Sequence, residues 1–204
     1  MQLYASKGCG SAIVEMIFAR AGVSYERIEV SYETEEGRAI LRRFNPLAQV
    51  PTLVLDDGTV MTESAGIALW LAERYAKMEL LPAEAAQRAL CYRWMVYFAT
   101  NVYGPIIVGD FPDRWVDGAD AGESLKTKAR QRLEHAWRAF EDSVAPAPFL
   151  LGTRMSVLDL YVAMVSRWRP GRAWLLEHCP KAMAAVVQTE AQPVVMAAWA
   201  RNFG

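Results

Sequence analysis

Hydrophobic and polar positions follow two periods in the first third of the chain and one in the rest. Residues 1–5 are a short apolar run ending at the small stretch 6–10. From 11 to 21 the spacing is helical, with Ile13, Ile17 and Ala21 on one face beside Val14 and Phe18. Gly22 supplies a C-cap. Residues 25–30 alternate as a strand does. Residues 35–44 predict a charged, exposed helix, stopped by Asn45–Pro46. Two short runs, 51–56 and 59–62, flank Asp57–Gly58 and predict a β-hairpin. A helix follows over 63–76, with Ile67, Leu71 and Tyr75 at spacing four. The order β-α-β-α-β-β-α is a βαβ unit followed by a ββα unit, which makes a four-stranded sheet with helices against it.

Residues 77–82 read as a linker, and beyond them the strand signal disappears. A long apolar helix is expected over 83–107, bent near Gly104–Pro105, then a loop over 108–121 rich in Gly, Asp and Pro. Residues 122–143 are amphipathic, with Leu125, Leu133, Trp137 and Phe140 as core contacts. A Pro-rich connection at 145–149 leads to a strongly apolar helix over 156–168. Pro170–Gly171 breaks it, and two shorter helices fill the end. Trp168 and Trp174 are assigned to core. The expected division is an α/β domain over 1–76 and an all-α domain over 83–204.

Hydrophobic residues make up 53% of the 204, enough for a sizeable core, so what remains is to exclude function classes. Lys and Arg number 22 against 23 Asp and Glu, which argues against a nucleic-acid or anionic-membrane binder, since phosphate binding needs a basic surplus. No window approaches the roughly 18 uncharged apolar residues of a spanning helix, and the first residues lack a signal-peptide pattern. The three cysteines, Cys9, Cys91 and Cys179, form no CxxC pair, and His135 and His178 are the two histidines. A disulfide framework and a metal site are therefore not expected, and a reducing cytoplasm is.

Two sites carry candidate chemistry. Pro51 opens a strand after Gln49-Val50, and with a cis Val50–Pro51 bond the backbone N–H and C=O of Val50 face outward, able to pair with an extended peptide as an added strand would. An ordinary loop proline before a strand is the alternative. Glu63-Ser64 stands where the hairpin enters a helix, whose N-terminal N–H groups suit a carboxylate. Ser64 can add a hydroxyl donor there, and Glu63 can receive an ammonium. Helix capping by Thr62 or Ser64 is the alternative. One short hairpin separates Pro51 from Glu63, so both lie at the same end of the sheet, and a backbone clamp beside a carboxylate-and-ammonium clamp suits a γ-glutamyl peptide.

Gln49-Val50-Pro51-Thr52-Leu53, the Asp-Gly hairpin and Glu63-Ser64-Ala65-Gly66-Ile67 together resemble the glutathione site of cytosolic glutathione transferases. Ser156-Val157-Leu158-Asp159 resembles that family's N-capping box, a structural feature in which Ser156 and Asp159 satisfy each other's backbone. The resemblance implies a thioredoxin-like N-terminal domain, an all-helical C-terminal domain and a homodimer. It also implies glutathione as co-substrate with no further cofactor, and a small hydrophobic electrophile as second substrate. Glutathione pairs with Gln49, Val50 and Pro51, its γ-glutamyl end meets Glu63 and Ser64, and its thiol points at the start of the first helix, near Gly10.

At that point the sequence departs from the family's patterns. Gly10 stands where the bacterial beta class carries a catalytic Cys, followed by Ser11, and Cys9 is one place earlier. Cys9 precedes a helix N-terminus and has Lys7 nearby, both of which lower a thiol pKa, and a buried or chance cysteine is the alternative. Ser11 donates to a thiolate or caps the helix, and Tyr4 is a third candidate, read mainly as a packing residue. Tyr97, Asn101 and Tyr103 are implied to line the electrophile pocket, with Tyr103 at the place of a beta-class histidine and Tyr97 also assigned to core, and Phe111 and Trp115 to cap it. Two rival functions stay open: thiol–disulfide or peroxide chemistry through a nucleophilic Cys9, and a non-catalytic glutathione- or ligand-binding module.

Overall fold

A computed structural model describes residues 1–204, the side chain of Val194 excepted. The elements of the first third run in the expected order: β1 (Gln2–Ala5), α1 (Ala12–Ala21), β2 (Glu26–Glu29), α2 (Glu35–Leu41), β3 (Thr52–Val54), β4 (Val60–Met61) and α3 (Ser64–Arg74). The sheet order is β2-β1-β3-β4, with β1 parallel to β2 and antiparallel to β3, and β3 antiparallel to β4. The fold is thus a thioredoxin-like α/β layer followed by an all-helical region.

Local chemistry sets the boundaries. Gly22 ends α1 in the left-handed conformation at φ 62°, its N–H reaching the carbonyls of Phe18 and Ala19. Thr34 caps α2 by accepting from the Gly37 N–H at 3.2 Å. Gly37 is obligatory, because a Cβ there would lie 1.9 Å from the Ser31 carbonyl oxygen. Leu3, Ile13, Ile17, Leu53, Ile67 and Leu71 are fully buried between the sheet, α1 and α3. Each such side chain contributes about 1.5–3 kcal/mol of hydrophobic stabilisation. On the opposite side Tyr4, Val30, Leu41 and Ala48 form a second cluster, with Phe44 against the Tyr4 ring at 4.9 Å.

The helical part departs from the expected layout in three places. The single helix expected over 83–107 is α4 (Ala85–Tyr97), one π-helical stretch (Phe98–Tyr103) and α5 (Gly104–Asp110). The three abut without a break, Phe98, Tyr103 and Gly104 all keeping right-handed helical angles, so the chain stays helical through Gly104–Pro105, with the wider π turn just before Pro105. α6 (Ala119–Ser143) carries Trp137 and Phe140 into an edge-to-face cluster with Trp94 and Phe98. α7 (Val157–Val165) is buried at every position, and the Asp159 carboxylate accepts from the Ser156 N–H at 2.7 Å and the Leu150 N–H at 2.8 Å. Trp168 and Trp174, expected in core, are half-buried at the surface, Trp168 against the Tyr103 ring and Trp174 against His178.

Three helices, not two, complete the chain: α8 (Arg172–His178), α9 (Pro180–Glu190) and α10 (Pro193–Phe203). The chain divides into two compact units, Met1–Leu81 with Glu190–Gly204, and Pro82–Thr189. The expected boundary at 83–204 therefore shifts, because α10 returns to the α/β unit and packs on α1. A buried carboxylate draws it there. Glu15 of α1 is 1% exposed and accepts from Arg201 Nη1, Asn202 Nδ2, Arg27 Nε and the Tyr25 hydroxyl. A carboxylate in that position must be paired, and α10 supplies two of its donors. Among the described residues no helix is long and apolar enough to cross a membrane.

Candidate functional site at one end of the sheet

Strand register gathers four loops. β1 and β2 run parallel, pairing Ala5 with Glu29, and the Val30 N–H donates to the Ala5 carbonyl at 2.9 Å. β3 runs the other way and pairs Thr52 with Tyr4, so its start lies beside the end of β1. β4 pairs Met61 with Leu53, and extending that register by two residues brings position 63 opposite position 51. The segments 6–10, 31–33, 49–51 and 62–64 therefore share one end of the sheet.

The 45–52 loop is tied to itself. Asn45, 4% exposed, donates from Nδ2 to the Gln49 carbonyl at 3.2 Å and to Thr52 Oγ1 at 3.3 Å, and its Oδ1 accepts from the Leu47 N–H at 3.0 Å. The Thr52 hydroxyl donates to the same Gln49 carbonyl at 2.9 Å. Gln49 thus has its carbonyl committed and its side chain exposed. The Val50–Pro51 bond is cis, as expected. Neither the N–H nor the C=O of Val50 has a hydrogen-bond partner among the described residues. That pair of groups is what an extended peptide would use.

Glu63 occupies φ 65°, ψ 104°, a region that costs a non-glycine residue about 1–3 kcal/mol. It stands at the N-cap of α3, and its own side chain makes no cap bond there. Ser64 is the first helical residue, 6% exposed, and Glu63 is exposed.

The loop after β1 corrects two expectations. Ser11 is fully buried. Its hydroxyl donates to the Ser6 carbonyl at 3.0 Å and accepts from the Ser6 N–H at 3.3 Å, so it makes no cap and its proton is already committed. Cys9 is half-buried, 3.6 Å from the Lys7 carbonyl. Burial pushes its thiol above the usual range, hydrogen bonds with Tyr32 and Ser6 pull the other way, and Glu33 and Glu29 push it up again. The expected lowering by Lys7 does not occur. The Lys7 ammonium reaches the Gly204 carbonyl instead. The backbone N–H groups of Gly10 and Ser11 have no partner among the described residues, and both residues are buried, Ser11 completely. Tyr4 is a packing residue, 6% exposed.

In the helical unit the three expected pocket residues have separate partners. Tyr97 packs against Trp94 and Phe98 and donates its hydroxyl to the Ala136 carbonyl at 2.9 Å, which commits it to α6. Asn101 donates to Thr100 Oγ1 at 2.9 Å. Tyr103, half-buried, lies on Trp168 at 4.8 Å, close in sequence to the Arg169–Asp110 ion pair. Of the two expected lid residues, Trp115 is 60% exposed and Phe111 lies under the Arg114 guanidinium.

Sequence reasoning missed Asn45, Thr52, Tyr32 and Asn202. Asn45 was legible only as a helix stop. Thr52 belongs to a quoted motif, but its hydroxyl bond depends on the loop's path. Tyr32 and Asn202 carry no local signal, because they reach the 6–10 loop from elsewhere in the chain.

Comparison with known proteins bears on this arrangement. Residues 11–74 match the family described as glutathione S-transferase, N-terminal domain. The GST-like protein YncG of Escherichia coli (strain K12) is 32% identical over 180 residues, 87% of this chain and 86% of its own. A solved glutathione transferase homolog from Sulfitobacter with bound glutathione superposes with TM-score 0.87 at 23% identity, covering 96% of this chain and 95% of that one. A ternary complex of BphK, a bacterial GST, gives TM-score 0.78 at 25% identity and 97% coverage of both chains.

Proposed function

Because the chain belongs to the glutathione S-transferase family, we propose that it binds glutathione across the shared sheet end and joins its sulfur to a small hydrophobic electrophile. The observation that carries this reading is the register that sets the 49–51 segment, with the open N–H and C=O of Val50, beside Glu63 at the N-terminus of α3. The Val50 backbone pairs with the cysteinyl residue of the peptide. The N-terminal amides of α3 and Ser64 receive the γ-glutamyl carboxylate, where the helix dipole favours an anion. Glu63 receives the ammonium.

The thiol then reaches the 6–10 loop. Thiolate is the reactive form, and the unpartnered N–H of Gly10 is the donor suited to stabilise it. The Ser11 hydroxyl holds the loop and is not the activator. The thiolate sulfur attacks the electrophilic carbon, an S–C bond forms, and the leaving group departs with its electron pair or, in an addition, the adjacent atom takes up a proton. Burial and two nearby glutamates keep the Cys9 thiol protonated near neutral pH, which weighs against a nucleophilic Cys9 and the exchange chemistry it would support. Tyr103 beside Trp168 is the aromatic surface offered to an apolar substrate. A homodimer and a cytoplasmic location are carried over from the family.

Calorimetry with glutathione and a turnover panel of aryl halides, epoxides, isothiocyanates and hydroperoxides test the proposal. Binding, a lowered pKa of the bound thiol and turnover of at least one electrophile are expected. Absence of binding overturns the proposal. Tight binding without turnover leaves a ligand-binding module.

A further inference from the structure

The bonds that hold the start of the 6–10 loop differ in kind. Ser6 is held by the Ser11 hydroxyl, a local bond across five residues. The Lys7 N–H donates to Glu29 Oε1 at 3.3 Å, but that carboxylate is 57% exposed and competes with water. The Gly8 N–H donates to Asn202 Oδ1 at 3.4 Å, and Asn202 is 3% exposed. A bond to a buried acceptor is not exchanged for one to water, so this bond holds the turn more firmly than the Lys7 bond does. Gly8 sits at φ 74° beside the Asn202 backbone, whose carbonyl oxygen a Cβ there would meet at 3.6 Å.

The carboxamide is itself fixed. Asn202 Nδ2 donates to Glu15 Oε1 at 3.2 Å and to the Ala198 carbonyl at 2.9 Å, which leaves Oδ1 directed at Gly8. Glu15 is also bonded by Arg201 and Arg27. The arrangement runs from α1 through Asn202 back to the turn that precedes α1.

We propose that Asn202 is a positioning residue: carried on α10, its buried carboxamide holds Gly8 and so sets how Cys9 and the amide of Gly10 face a bound thiol. The link to catalysis rests on the function proposed above. The link to the loop does not. α10 is then part of the thiol site, although it belongs to the far end of the sequence.

The test compares Asn202→Leu with Arg201→Met in the full chain. Both loosen α10 on Glu15, and only the first removes the acceptor for Gly8. Cys91 and Cys179 are fully buried, so native alkylation by iodoacetamide, read by peptide mass spectrometry, reports Cys9. Asn202→Leu is expected to speed Cys9 alkylation and raise the glutathione Kd, each about 3–10-fold, as the loss of one hydrogen bond predicts. Arg201→Met is expected to lower the melting temperature and leave both near wild type. Unchanged alkylation and Kd in Asn202→Leu overturn the proposal, and so does Arg201→Met reproducing both effects. A wild-type chain that does not bind glutathione overturns the earlier reading, and the alkylation comparison then decides the role of Asn202 alone. Should Asn202→Leu fail to fold, amide exchange in the unaltered protein decides. The Gly8 amide should be protected along with α10, and exchange at the rate of an open loop refutes the bond.

Discussion

Replacing Glu63 by glycine should strengthen the fold while weakening the site. At φ 65°, ψ 104° the Cβ of Glu63 is held in a region that costs about 1–3 kcal/mol. Glycine removes that Cβ, but it also widens the unfolded ensemble, a loss of about 0.4–1 kcal/mol. The net gain is about 0.5–2 kcal/mol in unfolding free energy. Glu63→Ala is the control, since it deletes the carboxylate and keeps the Cβ. The assay is urea denaturation of wild type, Glu63→Ala and Glu63→Gly, compared by midpoint at constant slope. If the two units unfold separately, amide exchange of the β3 strand reports the α/β unit alone. Both variants should bind glutathione more weakly by about 1–2 kcal/mol, between an exposed ion pair and a desolvated charged hydrogen bond. A glycine variant no more stable than the alanine variant refutes the strain. Wild-type affinity in both variants refutes the ammonium contact.

Ser64→Ala should cost glutathione affinity by roughly 1–3 kcal/mol, and unchanged calorimetry would confine Ser64 to a structural role. Glu15→Ala should destabilise the fold by about 2–3 kcal/mol in urea, below the roughly 3–5 of a fully buried pair because the Arg201 side chain is half exposed; a loss under half of that would mean the pairing is dispensable. Burial pushes the thiols of Cys91 and Cys179 up to about 12. The unfolded chain therefore ionises first as pH rises past the ordinary thiol range. Stability contributed by the neutral buried thiols is intact below that range and declines towards pH 12, by about 1 kcal/mol per pH unit for each thiol. The double variant Cys91→Ala, Cys179→Ala should show a shallower alkaline decline, and parallel curves would contradict the burial argument. Cys9→Ala and Ser11→Ala should each lower turnover modestly and leave the pKa of bound glutathione depressed, whereas a variant that restores the free-thiol value identifies that residue as the sole activator.

Periodicity along the chain was sufficient for what depends on neighbours in sequence. The spacing of Ile13 and Ile17 and the Asp57–Gly58 hairpin each report a local preference for helix or turn, and both elements stand, whereas α2 ends at Leu41, short of the expected stop at Asn45–Pro46. Position 51 beside position 63 was legible for the same reason, because a short hairpin leaves little freedom in register. What sequence alone could not decide was where polar groups spend their hydrogen bonds. Ser11 stood at a helix start and looked available, yet Ser6 takes its proton. Lys7 stood beside Cys9 in sequence, but its charge is directed away, while Glu29 and Glu33 approach the thiol from the neighbouring strand end. Tyr97 fitted a pocket by position and was claimed by the Ala136 carbonyl. The return of α10 to α1 is the largest such case. The buried carboxylate of Glu15, some 190 residues earlier, is paired there by donors that only a folded chain brings within reach.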